Sequence, residues 1–178
     1  MHPQIKKILV SHEEIVNKCE ELGKELAKDY ENEDKPLLVA LLKGSIPFLS
    51  ELIKHIDMDI KIDFMDVSSY EGTESVGDIK IIKDLDTSIK GVNILLVEDI
   101  VDTGQTIKTV KQTLLNKGAK SVKIVTLLDK PSRRVVDIKA DYIGFEIENE
   151  FAVGFGLDYN QLYRNLPYVG VLKDECYK

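Results

Sequence analysis

The 178-residue chain carries 24 Lys and Arg against 31 Asp and Glu, a formal net charge of −7, and 43% of its residues are hydrophobic. That balance fits one globular domain with a substantial core and excludes a disordered or fibrous chain. An acidic chain with no basic block is repelled by nucleic acid and by anionic membrane, so neither is expected as a partner.

The opening stretch MHPQIKKILVSHEEI holds a three-residue apolar run, too short for a secretory signal. No later segment has membrane length, and a cytoplasmic location is expected. Ser11 followed by Glu14 forms a capping-box pattern, and Ile15, Cys19, Leu22 and Leu26 recur at helical spacing, which predicts a helix from about Ser11 to Tyr30. LLVALL at 37–42 reads as a strand covered on both faces. It ends at Lys43-Gly44, after which Ser45 is a possible cap and Pro47 lies in the first turn of a helix. In DIKIDFMDV, Ile60, Ile62 and Phe64 alternate with Lys61 and Asp63, predicting a strand with one wet face. SSYEGTESVGD at 68–78 has neither period nor apolar mass and reads as a mobile loop. IKIIKDL resumes a strand, VNILLV is a second buried one, and residues 104–116 form a helix with Ile107, Val110 and Leu114 inward. Gly118 stops that helix before a third buried strand, SVKIVTLL at 121–128. YIGFEI at 142–147 and VGVL at 169–172 are strand-like. Cys19 and Cys176 stand in neither a metal-ligand nor a redox spacing and read as buried or incidental thiols.

Strands alternating with helices predict an α/β fold built from right-handed βαβ units, with a mostly parallel sheet covered by helices. Ligands bind at the carboxyl ends of such strands. Lys43-Gly44, the segment Glu98 to Thr106, and Asp129-Lys130-Pro131 all fall at those ends and are expected to converge. The most informative of the three is VEDIVDTGQT. Asp102-Thr103-Gly104-Gln105-Thr106 offers consecutive backbone N–H groups, two hydroxyls and a helix N-terminus, which suit a phosphate monoester. Glu98 and Asp99 just before it can accept from sugar hydroxyls or approach Mg²⁺. Helix capping accounts for one acid there and leaves the other two unexplained. The turn is neither a Walker loop nor a GxGxxG fingerprint.

An acid pair, two aliphatics, Asp-Thr-Gly and Thr resemble the phosphoribosyl pyrophosphate (PRPP) signature of the type I phosphoribosyltransferases, and VEDIVDTGQT is similar to the hypoxanthine-guanine branch. LLKGS at 41–45, SSYEG at 68–72, LLDKP at 127–131, FAVGFGLDYN at 151–160 and YRNLPYVG at 163–170 match in order, so the resemblance spans about Leu41 to Gly170. It implies a single domain, with a core at about 35–140 and a small hood from the N-terminal segment and about 141–178. The implied activity is purine salvage: transfer of the 5-phosphoribosyl group from PRPP to hypoxanthine or guanine.

Residue by residue, the resemblance assigns Thr103, Gly104, Gln105 and Thr106 to the 5-phosphate. It gives Glu98 and Asp99 to the ribose hydroxyls, directly or through Mg²⁺, and makes Asp102 the general base at purine N7. Lys43 and Gly44 match the pyrophosphate loop, with a cis peptide expected at Lys43-Gly44, and Arg164 matches a second pyrophosphate contact. Asp158 matches the carboxylate for a second Mg²⁺ and is counted with the purine-binding residues. Lys130 would donate to the purine's 6-oxygen, Phe151 would stack on the ring over Ile100, and the Ala152 backbone would read the ring edge. Ser69 and Tyr70 would close over the site. Two positions depart from the pattern: Ala152 stands where a larger aliphatic is frequent, and Gln105 replaces a basic residue of some members. A transferase preferring xanthine, or a PRPP-sensing regulator on the same fold, remains open, although a regulator calls for a basic face that this chain lacks. A homodimer or homotetramer is expected.

Overall fold

The computed structural model describes residues 1–69 and 79–177. Its framework is a six-stranded sheet in the order β4-β3-β2-β5-β6-β7. The strands are β2 (Leu37–Leu41), β3 (Lys61–Ser69), β4 (Ile79–Lys83), β5 (Asn93–Val101), β6 (Ser121–Asp129) and β7 (Tyr142–Glu146). All neighbours run parallel except β4, which pairs antiparallel to β3 at the edge. The apolar runs read as doubly covered are doubly covered. Leu38, Ala40, Leu95, Val97, Val125 and Leu127 point into one buried cluster with helix α1 (His12–Asp29) and helix α2 (Ile46–Leu52). Val39, Leu41, Ile94, Leu96, Val122 and Ile124 point to the opposite face, where Ile107, Val110 and Leu114 of helix α3 (Gln105–Asn116) cover them.

Helix α1 starts as its sequence dictates. The Ser11 hydroxyl accepts from Glu14 N–H at 3.2 Å and the Glu14 carboxylate accepts from Ser11 N–H at 2.8 Å, so two otherwise orphaned donors are satisfied. Its inner face carries Ile15, Cys19, Leu22 and Leu26, all buried. Burial pushes the Cys19 thiol up to about 12, which leaves it an inert packing group, while Cys176 is half-buried and also free.

Several expectations need correction. Ser45 does not cap α2; its hydroxyl donates back to the Leu41 carbonyl, closing the turn that follows β2. In β3 the buried members are Asp63 and Met65, whereas Ile62 is 39% exposed. Asp63 tolerates burial because its carboxylate accepts from Phe64 N–H at 2.7 Å and Asp86 N–H at 2.9 Å and lies 3.5 Å from Lys83 Nζ. Ser68 and Ser69, read as loop, end β3 and pair with Lys80 and Ile79. The rest of that loop, Tyr70 included, lies outside the described residues.

The termini form a separate three-stranded antiparallel sheet, β1 (Ile5–Val10), β9 (Val169–Leu172) and β8 (Ala152–Val153), in the order β1-β9-β8. Neither β1 nor β8 is foreseen from the sequence, because each is too short or too interrupted by lysines to show a period. β7, beyond residue 140, is the sixth strand of the large sheet, and α1 packs into the main core. Among the described residues no helix is long and apolar enough to cross a membrane.

Candidate active site

Three loops leave the carboxyl ends of β2, β5 and β6 and meet. The β5 loop is a turn at Asp102–Gly104 that runs straight into α3. Gly104 sits at φ 84°, in the left-handed region, and a Cβ there would lie 2.5 Å from Ile138 and 2.8 Å from Arg134 Cδ, so only glycine fits. Glu98, Asp99, Asp102, Thr103, Gly104 and Thr106 line a cavity of about 230 Å³ over this turn. The first turn of α3 carries no acidic residue to compete with an anion there. Gln105 opens the helix, its N–H 3.5 Å from the Thr103 hydroxyl.

The loop after β6 folds over the same turn. Lys130 N–H donates to Val101 O and Val135 N–H to Thr103 O, each at 3.0 Å. Lys130 is 7% exposed and its ammonium donates to the Glu150 carbonyl at 2.8 Å. Burial pulls its proton affinity below the usual lysine value, and the Asp102 carboxylate opposes this. A second cavity, about 420 Å³, is lined by Ile100, Asp102, Lys130, Phe151, Ala152 and Tyr177 among others. Ile100 and Asp102 belong to both cavities, so Asp102 stands at their junction.

The β2 loop closes the third side. A cis peptide is present, but at Leu42-Lys43, one bond earlier than expected. Lys43 is exposed, whereas Gly44 is buried. A Cβ on Gly44 would fall 1.8 Å from Asp99 Oδ2, and one on Gly156 would fall 1.9 Å from Gly44 O. The two glycines therefore let the Gly44 backbone pass close to the Asp99 carboxylate on one side and to the Gly156 backbone on the other. Arg164 joins this cluster by donating to Gly156 O at 2.7 Å and pairing with Asp158 at 3.0 Å, while its buried Nε–H finds no acceptor among the described residues. Asp158 spends its other oxygen on Gln161 N–H at 2.8 Å.

This arrangement agrees with comparisons to known proteins. A family model for the phosphoribosyl transferase domain matches residues 6–160. The hypoxanthine-guanine phosphoribosyltransferase of Lactococcus lactis subsp. lactis (strain IL1403) is 61% identical over 174 residues, 97% of this chain and 94% of the relative. The chain belongs to the hypoxanthine-guanine phosphoribosyltransferase family. A crystal structure of a hypoxanthine phosphoribosyltransferase from Staphylococcus aureus superposes with a TM-score of 0.94 at 54% identity, covering 100% of this chain and 97% of that one. The Trypanosoma cruzi hypoxanthine phosphoribosyltransferase, solved in complex with the product IMP, superposes with a TM-score of 0.94 at 36% identity, covering 99% of each chain.

Two residues of this phosphoribosyltransferase escaped the sequence reading. The Arg133 guanidinium lies 3.2 Å from the Asp102 carboxylate, and Arg133 lines the larger cavity. Arg134 donates to the Val101 carbonyl at 3.1 Å, to the Asp102 carbonyl and to the Asp129 carboxylate, which is nearly buried. It thereby ties the acidic turn to the end of β6. An Arg-Arg doublet in an acidic chain was the available signal. Arg134→Met is expected to lower stability by about 2 kcal/mol, the usual cost of removing hydrogen bonds to a charged group. A urea melt checks this, and an unchanged midpoint would show the tie to be incidental.

Glu98 and Asp99 adjoin with no cation at ion-pair distance among the described residues. Burial, and then the neighbouring Asp99 charge, raise Glu98 well above the usual carboxylate range. Burial raises Asp99 too, against hydrogen bonds from Glu98 and Ile100 N–H and the field of Arg164. A folded-state value above the unfolded one means that the native state holds more protons, so stability falls as pH rises through that interval. Glu98→Gln is therefore expected to raise Tm by about 2–4 °C at pH 7. The gain should shrink as the pH falls toward the ordinary carboxylate range, where the unfolded chain is protonated too, and melts of both proteins at pH 7 and pH 5 check it.

Proposed function

We propose that this enzyme transfers the 5-phosphoribosyl group from PRPP to hypoxanthine or guanine, yielding IMP or GMP and pyrophosphate in purine salvage. The observation that carries the reading is the position of Asp102, on the rim shared by an anion-suited turn and a cavity with Lys130 and Phe151 on its walls. In this reading Thr103, Gly104, Gln105 and Thr106 hold the 5-phosphate through backbone amides, hydroxyls and the α3 N-terminus. Lys43, Gly44 and Arg164 hold the pyrophosphate, and the unspent Arg164 Nε–H is a donor for one of its oxygens.

The purine lies between Phe151 and Ile100, with Lys130 donating to the 6-oxygen and the Ala152 backbone against the ring edge. Lys130 presents no acceptor, so adenine's exocyclic amine finds an unmatched donor, and such mismatches discriminate strongly in a closed site. As the C1–O bond to pyrophosphate breaks and C1 develops oxocarbenium character, purine N9 bonds to C1. The N7 proton passes to Asp102.

Mg²⁺ suits the two carboxylates Glu98 and Asp99, hard oxygen donors with no cation at ion-pair distance among the described residues. No group of three His, Cys, Asp or Glu able to hold a metal exists among the described residues, which fits an ion that is carried by one or two carboxylates and substrate phosphates. Its chemistry is to neutralise the departing pyrophosphate. Asp158, paired with Arg164 at 3.0 Å, is the carboxylate proposed for a second Mg²⁺. Closure by Ser69 and Tyr70, a cytoplasmic location, division into one core and a hood, and assembly as a dimer or tetramer complete the reading. Equilibrium sedimentation showing only monomer would remove the last.

A competition assay with PRPP, Mg²⁺ and equal hypoxanthine, guanine, xanthine and adenine tests the proposal. IMP and GMP are the expected products. XMP as the main product would favour the xanthine-preferring alternative, and no nucleotide at micromolar enzyme would favour a regulator.

A further inference from the structure

The 420 Å³ cavity has an aromatic wall more elaborate than one ring. Phe151 stacks face to face with Tyr177, ring centroids 4.5 Å apart and planes at 20°. Tyr159 meets it edge-on, at 5.6 Å and 86°. Despite both neighbours, Phe151 is 37% exposed, and it lines the cavity beside Tyr177. Tyr177 is itself held in place. Its N–H donates to Asp174 O at 3.2 Å, closing the short 3₁₀ turn Asp174–Cys176, and its hydroxyl meets the Asp174 carboxylate at 3.2 Å. That turn follows β9, whose last residue, Leu172, donates its N–H to the Phe151 carbonyl at 3.0 Å. One short segment therefore grips Phe151 twice, at its backbone and over its ring.

We propose that Tyr177 is a positioning residue for the purine: by covering one face of Phe151 it fixes the ring's plane and presents the opposite face to a planar 6-oxopurine. Phe151 precedes β8 and sits outside any helix or long strand, so its side chain has no regular element to orient it. A rigid aromatic wall loses less rotamer freedom when a base stacks on it, and part of the binding free energy is then retained. The proposal deepens the purine reading above and depends on it.

The test uses the full-length Tyr177→Phe, Tyr177→Leu and Tyr177→Ala variants, with KM measured separately for hypoxanthine and PRPP. Tyr177→Leu keeps apolar volume without a flat face, so it decides the question if Tyr177→Ala fails to fold. The expected result is a rise of about three- to tenfold in KM for hypoxanthine in Leu and Ala, the scale of one aromatic pair. KM for PRPP should change less than about twofold, and Phe should restore the wild-type value. An unchanged or lowered hypoxanthine KM would overturn the proposal, the latter because Tyr177 would then be occupying the purine's place. Equal rises for both substrates would also overturn it. A wild-type enzyme without transferase activity would instead sink the underlying reading.

Discussion

Asp102→Asn is expected to cut kcat by about 10²–10⁴-fold, the usual contribution of a positioned general base, while KM for each substrate stays within about threefold. The substitution is isosteric, and the neighbouring supports do not depend on the charge. The Asp102 carbonyl is held by Arg134, Thr103 O by Val135 N–H, and Val101 O by Lys130 N–H. The phosphate turn therefore keeps its shape, and an asparagine oxygen still faces the Arg133 guanidinium that lies 3.2 Å from the native carboxylate. What disappears is the group able to take the N7 proton. Steady-state kinetics in both substrates check this, and a variant retaining more than about a tenth of wild-type kcat would remove Asp102 from the role.

Gly44→Ala should lower kcat/KM for PRPP by about 10²-fold or more. An added methyl would sit 1.8 Å from Asp99 Oδ2, and the Gly44 carbonyl is itself wedged against Gly156, so neither neighbour can yield without moving the other. Asp99 is a short side chain on β5, not the far end of a flexible one, and relieving the clash shifts a carboxylate proposed to serve ribose and Mg²⁺. Overpacking of this kind also costs about 1–3 kcal/mol of stability. Lys43→Ala, which removes an exposed side chain, separates the lysine's contribution from that of the loop's close packing. If Gly44→Ala retained wild-type kcat/KM, the close approach would be a packing detail without catalytic meaning.

Much of the framework was legible because its physics is local. A capping box and a 3.6-residue period specify α1, and short apolar runs flanked by Gly and Lys specify β2, β5 and β6. The alternation in β3 misled. It marked a strand correctly, and Ile60 and Phe64 do pack against the core, but the side read as wet also buries Met65 and Asp63, the latter held by Asp86 N–H and Lys83, 23 and 20 positions away and invisible to a window of nine. The strands β1 and β8 pair with β9 across more than 150 residues in the first case, as in Ile5 against Leu172, and long-range pairing leaves no local period.

By itself, the sequence determined the βαβ alternation, the acidic turn ahead of α3 and the family to which the chain belongs, since each rests on contiguous residues whose spacing is the signal. Only the tertiary structure decided that Asp102 borders two cavities, that Arg134 pins the turn it follows by 32 positions, and that Tyr177 backs Phe151. Those facts are distances between groups far apart along the chain. They come into being when the sheet aligns its strand ends and the two terminal segments pair beside them.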